Sequence, residues 1–412
     1  MAQYKKAPLT ALVLSGGGAR GAYEAGVIKY IRDELPARIK PHVRLEILCG
    51  SSVGAINCCY IAAHSHVPEA QGQGLSDMWM GLRIDKVYQL GMREVINLPK
   101  FLLGSRGRGE LDDILGPGRL GGLFNTSPME EMVKNEIPWK RVRKNLFEGH
   151  FKALAINATH IRTGRTHVFV EREGDVVKPW STDPQVEAHA VEIGPNHALA
   201  SAAIPWIFPA VSINGEIFSD GSIKLNTPIS PALRLGADRL FVINLKSEEM
   251  PAWQKNPEVR IDAFPSAAYL LGKILNALLM DKTAYDLMRL HRYNAILKMG
   301  ERSFGEGFSS VFNRLMTESR GAPYRHIDTF EVGPSVDIAE IASRHLQQGS
   351  VAARAGSLVG PLLRRFGDIG VGQASDLLSY LLFDHEFASE LIHLGMNDAD
   401  AKRSQIIEFF SV

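Results

Sequence analysis

A serine hydroxyl becomes a useful nucleophile only when the chain presents it sharply and a neighbour takes its proton. Gly50-Ser51-Ser52-Val53-Gly54 is the one G-x-S-x-G of this sequence, set between an apolar run and a stretch of small, helix-forming residues. A serine on a tight strand-to-helix turn adopts strained backbone angles, and the flanking glycines let neighbouring backbone approach without Cβ clashes. Ser52 would also sit at a helix N-terminus, where the dipole favours a developing negative charge. The plainer alternative is a glycine-bounded turn with a capping serine. The strand on one side and the small-residue helix on the other favour the nucleophile.

Gly16-Gly17-Gly18-Ala19-Arg20-Gly21 occupies an equivalent position, at the end of an apolar run and the start of a helical pattern. It satisfies G-x-G-x-x-G, but a dinucleotide site of that kind needs an acidic residue at the end of the second strand. The Ser52 turn stands there instead, and Glu46 falls inside the strand. An oxyanion hole fits better, with consecutive glycine amides aimed at the oxygen that becomes negative when serine attacks an ester carbonyl. Arg20 carries two readings of equal weight, a counter-charge for a substrate phosphate and a structural salt bridge. For the base, none of the 13 histidines has a suggestive context. His326, ahead of a late strand, is the best placed for a Ser-Asp-His order; His197, His291 and His385 read as ordinary helix or loop residues. Asp220 follows a hairpin in Phe218-Ser219-Asp220-Gly221-Ser222. Taken alone, its Asp-Gly pair reads as a turn.

These turns need a scaffold. Residues 9–14 and 43–48 read as apolar strands, 22–35 as a helix closed by Pro36, and 55–63 as a small apolar helix. Strand, helix, strand is a βαβ unit, so the two strands are expected parallel, with a right-handed crossover and both glycine turns at one sheet edge. Residues 72–146 read as an insertion or cover over the site, with a helical piece at 128–135. Strand signals return at 151–157, 167–170 and 240–245, and Asn214-Gly215 marks a hairpin between 210–213 and 216–219. A helical stretch at 267–299 leads to a strand at 327–332 that is expected to rejoin the sheet. Short helices follow beyond Pro334, and the Gly- and Arg-rich stretch 347–372 has the composition of a mobile segment.

Composition narrows the field. The 412 residues carry 46 Lys+Arg against 45 Asp+Glu, a net charge of +1, so there is no global basic field for nucleic acid. With 45% hydrophobic residues a sizeable core is available and disorder is excluded. Cys49, Cys58 and Cys59 are too few and too close for a disulfide framework or zinc site, which points to a reducing compartment. No run reaches the roughly 18 apolar residues of a membrane helix. The best stretch, 267–280, carries Lys273 and Asn276 and an amphipathic stripe. The run at 9–14 is too short for a signal-peptide core, so a cytoplasmic location is expected.

Taken in order, the Gly16–Gly21 turn, the Ser52 turn, Asp220-Gly221 and the 200–209 segment ASAAIPWIFP resemble the signatures of the patatin-like phospholipase family. The resemblance runs from about residue 8 to 245. It implies a three-layer α/β/α fold with a mainly parallel sheet and a Ser-Asp dyad without histidine. Carried over by position, Ser52 is the nucleophile, Asp220 the base, the Gly17 and Gly18 amides the oxyanion hole, and Arg20 a neighbour of the substrate phosphate. Gly16, Gly21, Gly50, Gly54 and Gly221 are the motif glycines; Ser222 stands where the family usually has glycine or alanine.

The implied activity is lipid acyl hydrolysis of phospholipase A or lysophospholipase type, with a phospholipid substrate and no metal or cofactor required. Expected boundaries are an acyl hydrolase domain at 1–335 and a helical C-terminal extension at 336–412. The alternatives are a soluble carboxylesterase or thioesterase of the same fold, a catalytically silent lipid-binding module, and a dinucleotide-binding protein. Trp139-Lys140-Arg141-Val142-Arg143-Lys144 and, more weakly, Phe101-Leu102-Leu103 with Arg106 and Arg108, suit peripheral contact with an anionic lipid surface. A solvated helix face or loop explains each equally well. Oligomeric state is not readable from the sequence.

Overall fold

Thr10–Leu14 (β1) is buried along its whole length, as a strand covered on both faces must be. The computed structural model describes residues 8–88, 122, 124–174, 180, 183–247, 283–305, 307–320, 323–348 and 375–411. From β1 the chain enters helix α1 (Ala22–Lys29), prolonged by a wide turn at Tyr30–Glu34, and returns as β2 (Ile47–Ser51). β2 pairs in parallel with β1, Ala11 opposite Ile47. The ladder starts at Ile47 rather than at residue 43, and Glu46 leads into it, its N–H donating to the Thr10 carbonyl and its C=O accepting from Lys152 and Ala153. The strand therefore runs to Ser51, and α2 (Val53–Ala63) follows after one residue. Every residue of α2 is buried, as its mostly apolar sequence requires, and its one polar amide, Asn57, is hydrogen-bonded.

Three helices and one helical turn cross the expected insertion among the described residues: α3 (Pro68–Met80), the turn α4 (Ile84–Val87), α5 (Ser127–Glu136) and α6 (Trp139–Phe147). The Phe101 to Arg108 cluster and the 267–280 stripe lie outside the described residues, as does most of 347–372. β3 (Ala153–His160) joins β2 in parallel, and β4 (Thr166–Arg172) pairs antiparallel with β3. β5 (Val186–Ala190), not foreseen from the sequence, closes this edge parallel to β4. After α7 (Pro195–Ser201), β6 (Val211–Ile213) and β7 (Glu216–Asp220) form the expected hairpin. Its turn holds Asn214 and Gly215 at φ 52° and 84°, the pattern that Asn-Gly favours. β7 hydrogen-bonds to β3 and brings Asp220 opposite Ala158.

α8 (Ile229–Arg234) leads to β8 (Arg239–Ile243), and α9 (Thr283–Phe304) and α10 (Phe308–Arg320) precede β9 (Asp328–Val332), which rejoins the sheet beside β8. The strand order is β5-β4-β3-β2-β1-β8-β9, with the β6-β7 hairpin off β3. Strand order thus reverses at β1, and the crevice beyond its C-terminal end is where α/β sheets place their sites. Both faces are covered, giving three layers. Leu12, Leu48 and Phe241 pack with α1 and α2 on one side; Val13, Ile47 and Val242 meet Ile229, Leu287 and Leu290 on the other.

The C-terminal helices α11 (Ile338–Gln347), α12 (Ser375–Leu381), α13 (His385–Ala401) and α14 (Arg403–Phe410) enter the first of these cores. α13 lies against α1 so closely that a Cβ on Gly26 would collide with the carbonyl of Ile392, and one on Gly395 with that of Tyr23. Alanine has the higher helix propensity by about 1 kcal/mol, but overpacking two backbones costs more, typically 1–3 kcal/mol. Gly26→Ala is therefore expected to lower stability by up to about 2 kcal/mol, read as a shift in the urea midpoint at unchanged slope.

Candidate active site

The two glycine turns follow β1 and β2, adjacent strands in one direction, and so open at the same edge. Ser52 stands alone between β2 and α2 with φ 52° and ψ −123°, a conformation rare for a side-chain-bearing residue. Its amide donates to Ser201 Oγ at 2.9 Å, and Ser201 Oγ donates in turn to the Asn157 carbonyl at 2.7 Å. Its hydroxyl donates to Asp220 Oδ2 at 2.7 Å, a contact across 168 residues of sequence. Asp220 is fully buried; its other oxygen, Oδ1, accepts from the Ser222 amide at 2.7 Å. The backbone of Asp220 is fixed as well, its N–H donating to the Ala203 carbonyl and its C=O accepting from Thr159 Oγ1.

Gly18 has φ 57°, and a Cβ there would collide with the Tyr380 carbonyl. Neither the Gly17 nor the Gly18 amide donates a hydrogen bond among the described residues, whereas the Gly16 amide is spent on Asn226. Gly16 packs against Ser222 and Ser52, Gly21 against Val53 and Trp79, Gly50 against the backbone of Gly54, Gly54 against the Leu14 carbonyl, and Gly221 against Asn157. Beneath the loop, buried Glu24 accepts from Asn57 Nδ2 at 2.8 Å, and Asn57 Oδ1 accepts from Trp79 Nε1 at 3.0 Å. Burial pushes the Glu24 carboxyl well above its ordinary range.

Ser52 and Gly18 share a cavity of about 30 Å³ whose walls include Val53, Ile56, Trp79, Met129, Phe208 and Phe383. That is room for about two waters. No histidine lines it. His326 precedes β9 at the opposite edge of the sheet, 58% exposed and 3.4 Å from Asp328, so it cannot reach Ser52. His197 Nδ1 accepts from the Gly194 amide, and His291 hydrogen-bonds Thr329.

Of the two readings of Arg20, the geometry matches the structural one. The buried guanidinium donates to Ser379 Oγ from Nε and Nη2 at 2.9 and 2.7 Å, lies 4.0 Å from Asp376 and stacks on the Tyr380 ring at 4.2 Å. Tyr88 makes a second tie to the same segment, donating to the Leu381 carbonyl at 2.7 Å. Trp139 is not the exposed aromatic that its basic neighbours suggested. Its indole N–H donates to the Val133 carbonyl and its ring packs on the core. The exposed aromatic of α6 is Phe147, beneath the Arg143 guanidinium, and Arg143 and Lys144 lie 3.4–3.6 Å from Glu192, Glu171 and Glu148.

Ser201, Asn157 and the segment from Ser379 to Phe383 are site residues that motif reading did not single out. Ser201 lies in the 200–209 stretch, whose pattern was visible although its hydrogen bond was not. Nothing near residue 380 in the sequence signals its contact with the first glycine turn.

The sequence model of the family described as patatin-like phospholipase matches residues 12–233. Among curated proteins no relative matches the chain. The crystal structure of VipD from Legionella pneumophila aligns over 93% of this chain and 92% of its own, at 13% identity and a TM-score of 0.29.

The Asp220 environment sets opposing forces. Burial raises its pKa from 3.8 to about 6, against the hydrogen bonds from Ser52 and Ser222 that favour the carboxylate. Folding therefore takes up a proton between those two values, so stability falls as pH rises across that window and stays reduced above it. Asp220→Asn removes the buried charge. It is expected to be more stable than wild type at pH 8 by up to about 3 kcal/mol, the gap closing below about pH 4, as measured by urea unfolding.

Proposed function

The chain belongs to the patatin-like phospholipase family, and on that premise we propose that it cleaves acyl esters of membrane lipids through a dyad of Ser52 and Asp220. The observation that carries the reading is the 2.7 Å hydrogen bond from Ser52 Oγ to a fully buried carboxylate. Ser52 Oγ attacks the acyl carbonyl as its proton passes to Asp220 Oδ2. The Gly17 and Gly18 amides and the N-terminus of α2 stabilise the oxyanion. Collapse of the tetrahedral intermediate breaks the ester C–O bond, and Asp220 returns the proton to the departing lysolipid or glycerol oxygen. Water then attacks the acyl-enzyme, with the same carboxylate taking its proton and returning it to Ser52.

An unperturbed aspartate is a weak base for serine. At a pKa of about 6 Asp220 is stronger by roughly two units while still ionised at neutral pH. The apolar lining of the cavity supports an acyl chain as the bound moiety. Because about 30 Å³ cannot hold a chain, the proposal includes an opening of the wall, in which unbranched Met78, Met129 and Met132 yield most easily. Arg20, committed to Ser379 and Tyr380, is assigned to anchoring rather than to the substrate phosphate. Contact with the lipid surface is assigned to α6, where Lys140, Arg143, Lys144 and Phe147 share an exposed face.

A fluorophosphonate probe is expected to label wild type and not Ser52→Ala, while Asp220→Asn loses at least about 10²-fold in turnover and His326→Ala turns over like wild type. Turnover by Asp220→Asn with loss in His326→Ala would overturn the dyad. A phospholipid panel read by mass spectrometry should yield free fatty acid and lysolipid; hydrolysis confined to short water-soluble esters would favour the soluble esterase instead. The pH dependence of kcat/KM is expected to rise with one ionisation near pH 6, following the pKa of Asp220.

A further inference from the structure

We propose that His167, Glu187 and His189 form a binding site for a divalent transition-metal ion of the zinc type, on the β4–β5 edge and apart from the Ser52 cavity. Strand register brings the three together. β4 and β5 pair in parallel with His167 directly opposite Glu187 and Phe169 opposite His189. Residues two apart on a strand share a face, so Glu187 and His189 project beside His167. His167 Nε2 lies 3.6 Å from Glu187 Oε2, and His189 Nε2 lies 3.8 Å from the same oxygen. The three donor atoms are all within 4.8 Å of one another. Tetrahedral zinc with bonds of about 2.0–2.1 Å sets donors roughly 3.3 Å apart, so side-chain adjustment of about one ångström closes the set without moving the strands.

Two imidazoles and one carboxylate select zinc, nickel or copper over magnesium and calcium, which prefer all-oxygen cages. Three protein ligands leave a fourth position for water. The surroundings orient the rings: His167 and His189 stack at 4.5 Å, and Phe218 and Phe169 pack against them. His160 Nε2 is already engaged by Glu216 at 2.7 Å and stands behind the set rather than in it. The competitor is Arg165, ion-paired with Glu187 through a side chain 43% exposed, which must swing into solvent when the ion binds.

The test uses the full chain, stripped of metal and titrated with Zn²⁺ by calorimetry and with Co²⁺ by visible absorption. One equivalent of Zn²⁺ is expected to bind, and Co²⁺ to give the intense d–d bands of a four-coordinate site, displaced by Zn²⁺. Glu187 and His189 are 37% and 39% exposed, so their substitution spares the core. Glu187→Gln and His189→Ala are expected to weaken binding by about 100-fold, at or beyond the range of outer-shell losses. Arg165→Met, which removes the competing cation, should tighten it. Ser52→Ala should bind as wild type does. The proposal fails if Glu187→Gln and His189→Ala bind like wild type, if Arg165→Met weakens binding, or if wild type takes up no more ion than the His167→Ala/His189→Ala double variant. Loss of binding in Ser52→Ala also overturns it, because the ion would then sit at the dyad.

Discussion

Ser52 holds a positive φ that costs of order 1–3 kcal/mol and persists only where the surroundings over-determine it. Here they do so from three sides. The Ser201 hydroxyl accepts from the amide, Asp220 accepts from the hydroxyl, and the Ala55 and Ile56 N–H groups in the first turn of α2 donate to the Ser52 carbonyl. Each of these partners is itself placed by the sheet. Asp220 is held by pairing of β7 with β3, Ser201 by its bond to Asn157 within β3, and α2 by the close contact of Gly54 with the end of β1. The sheet can be regarded as the frame that keeps one strained residue in place.

The burial that raises the Asp220 pKa also makes the ionised residue a burden on the fold. Desolvation works against the ionised form, two hydrogen bonds work for it, and the net is a carboxyl displaced upward by about two units. Glu24 is also fully buried, and there desolvation outweighs hydrogen bonds from the Asn57 side chain and the Ser15 backbone, holding its carboxyl well above the usual range.

What could be read from the sequence was what local chemistry determines. The glycine turns after the first two strands, the Asn-Gly hairpin and the mostly apolar α2 depend on residues a few positions apart, and they stand where expected. The family's match over residues 12–233 agrees with that reading. β5 escaped because its five residues, Val-Glu-Ala-His-Ala, form an edge with no fully buried side chain, so no apolar run marks it. The inward turn of Trp139 escaped because its acceptor is a backbone carbonyl. The contacts of Arg20 are not legible locally, because its hydrogen-bond partner Ser379 lies 359 residues away.

That separation bears on how the protein comes into being. Synthesis proceeds from the N-terminus at roughly 5–20 residues per second, so Gly18 and Arg20 leave the ribosome about twenty seconds or more before Ser379 and Tyr380 can reach them. Throughout that interval the first glycine turn lacks the ring and the carbonyl that pack on it, and α1 lacks α13. A nascent chain already carrying both Ser52 and Asp220 therefore still lacks Phe383 from the wall of the Ser52 cavity, which is complete only once the last helices have been made.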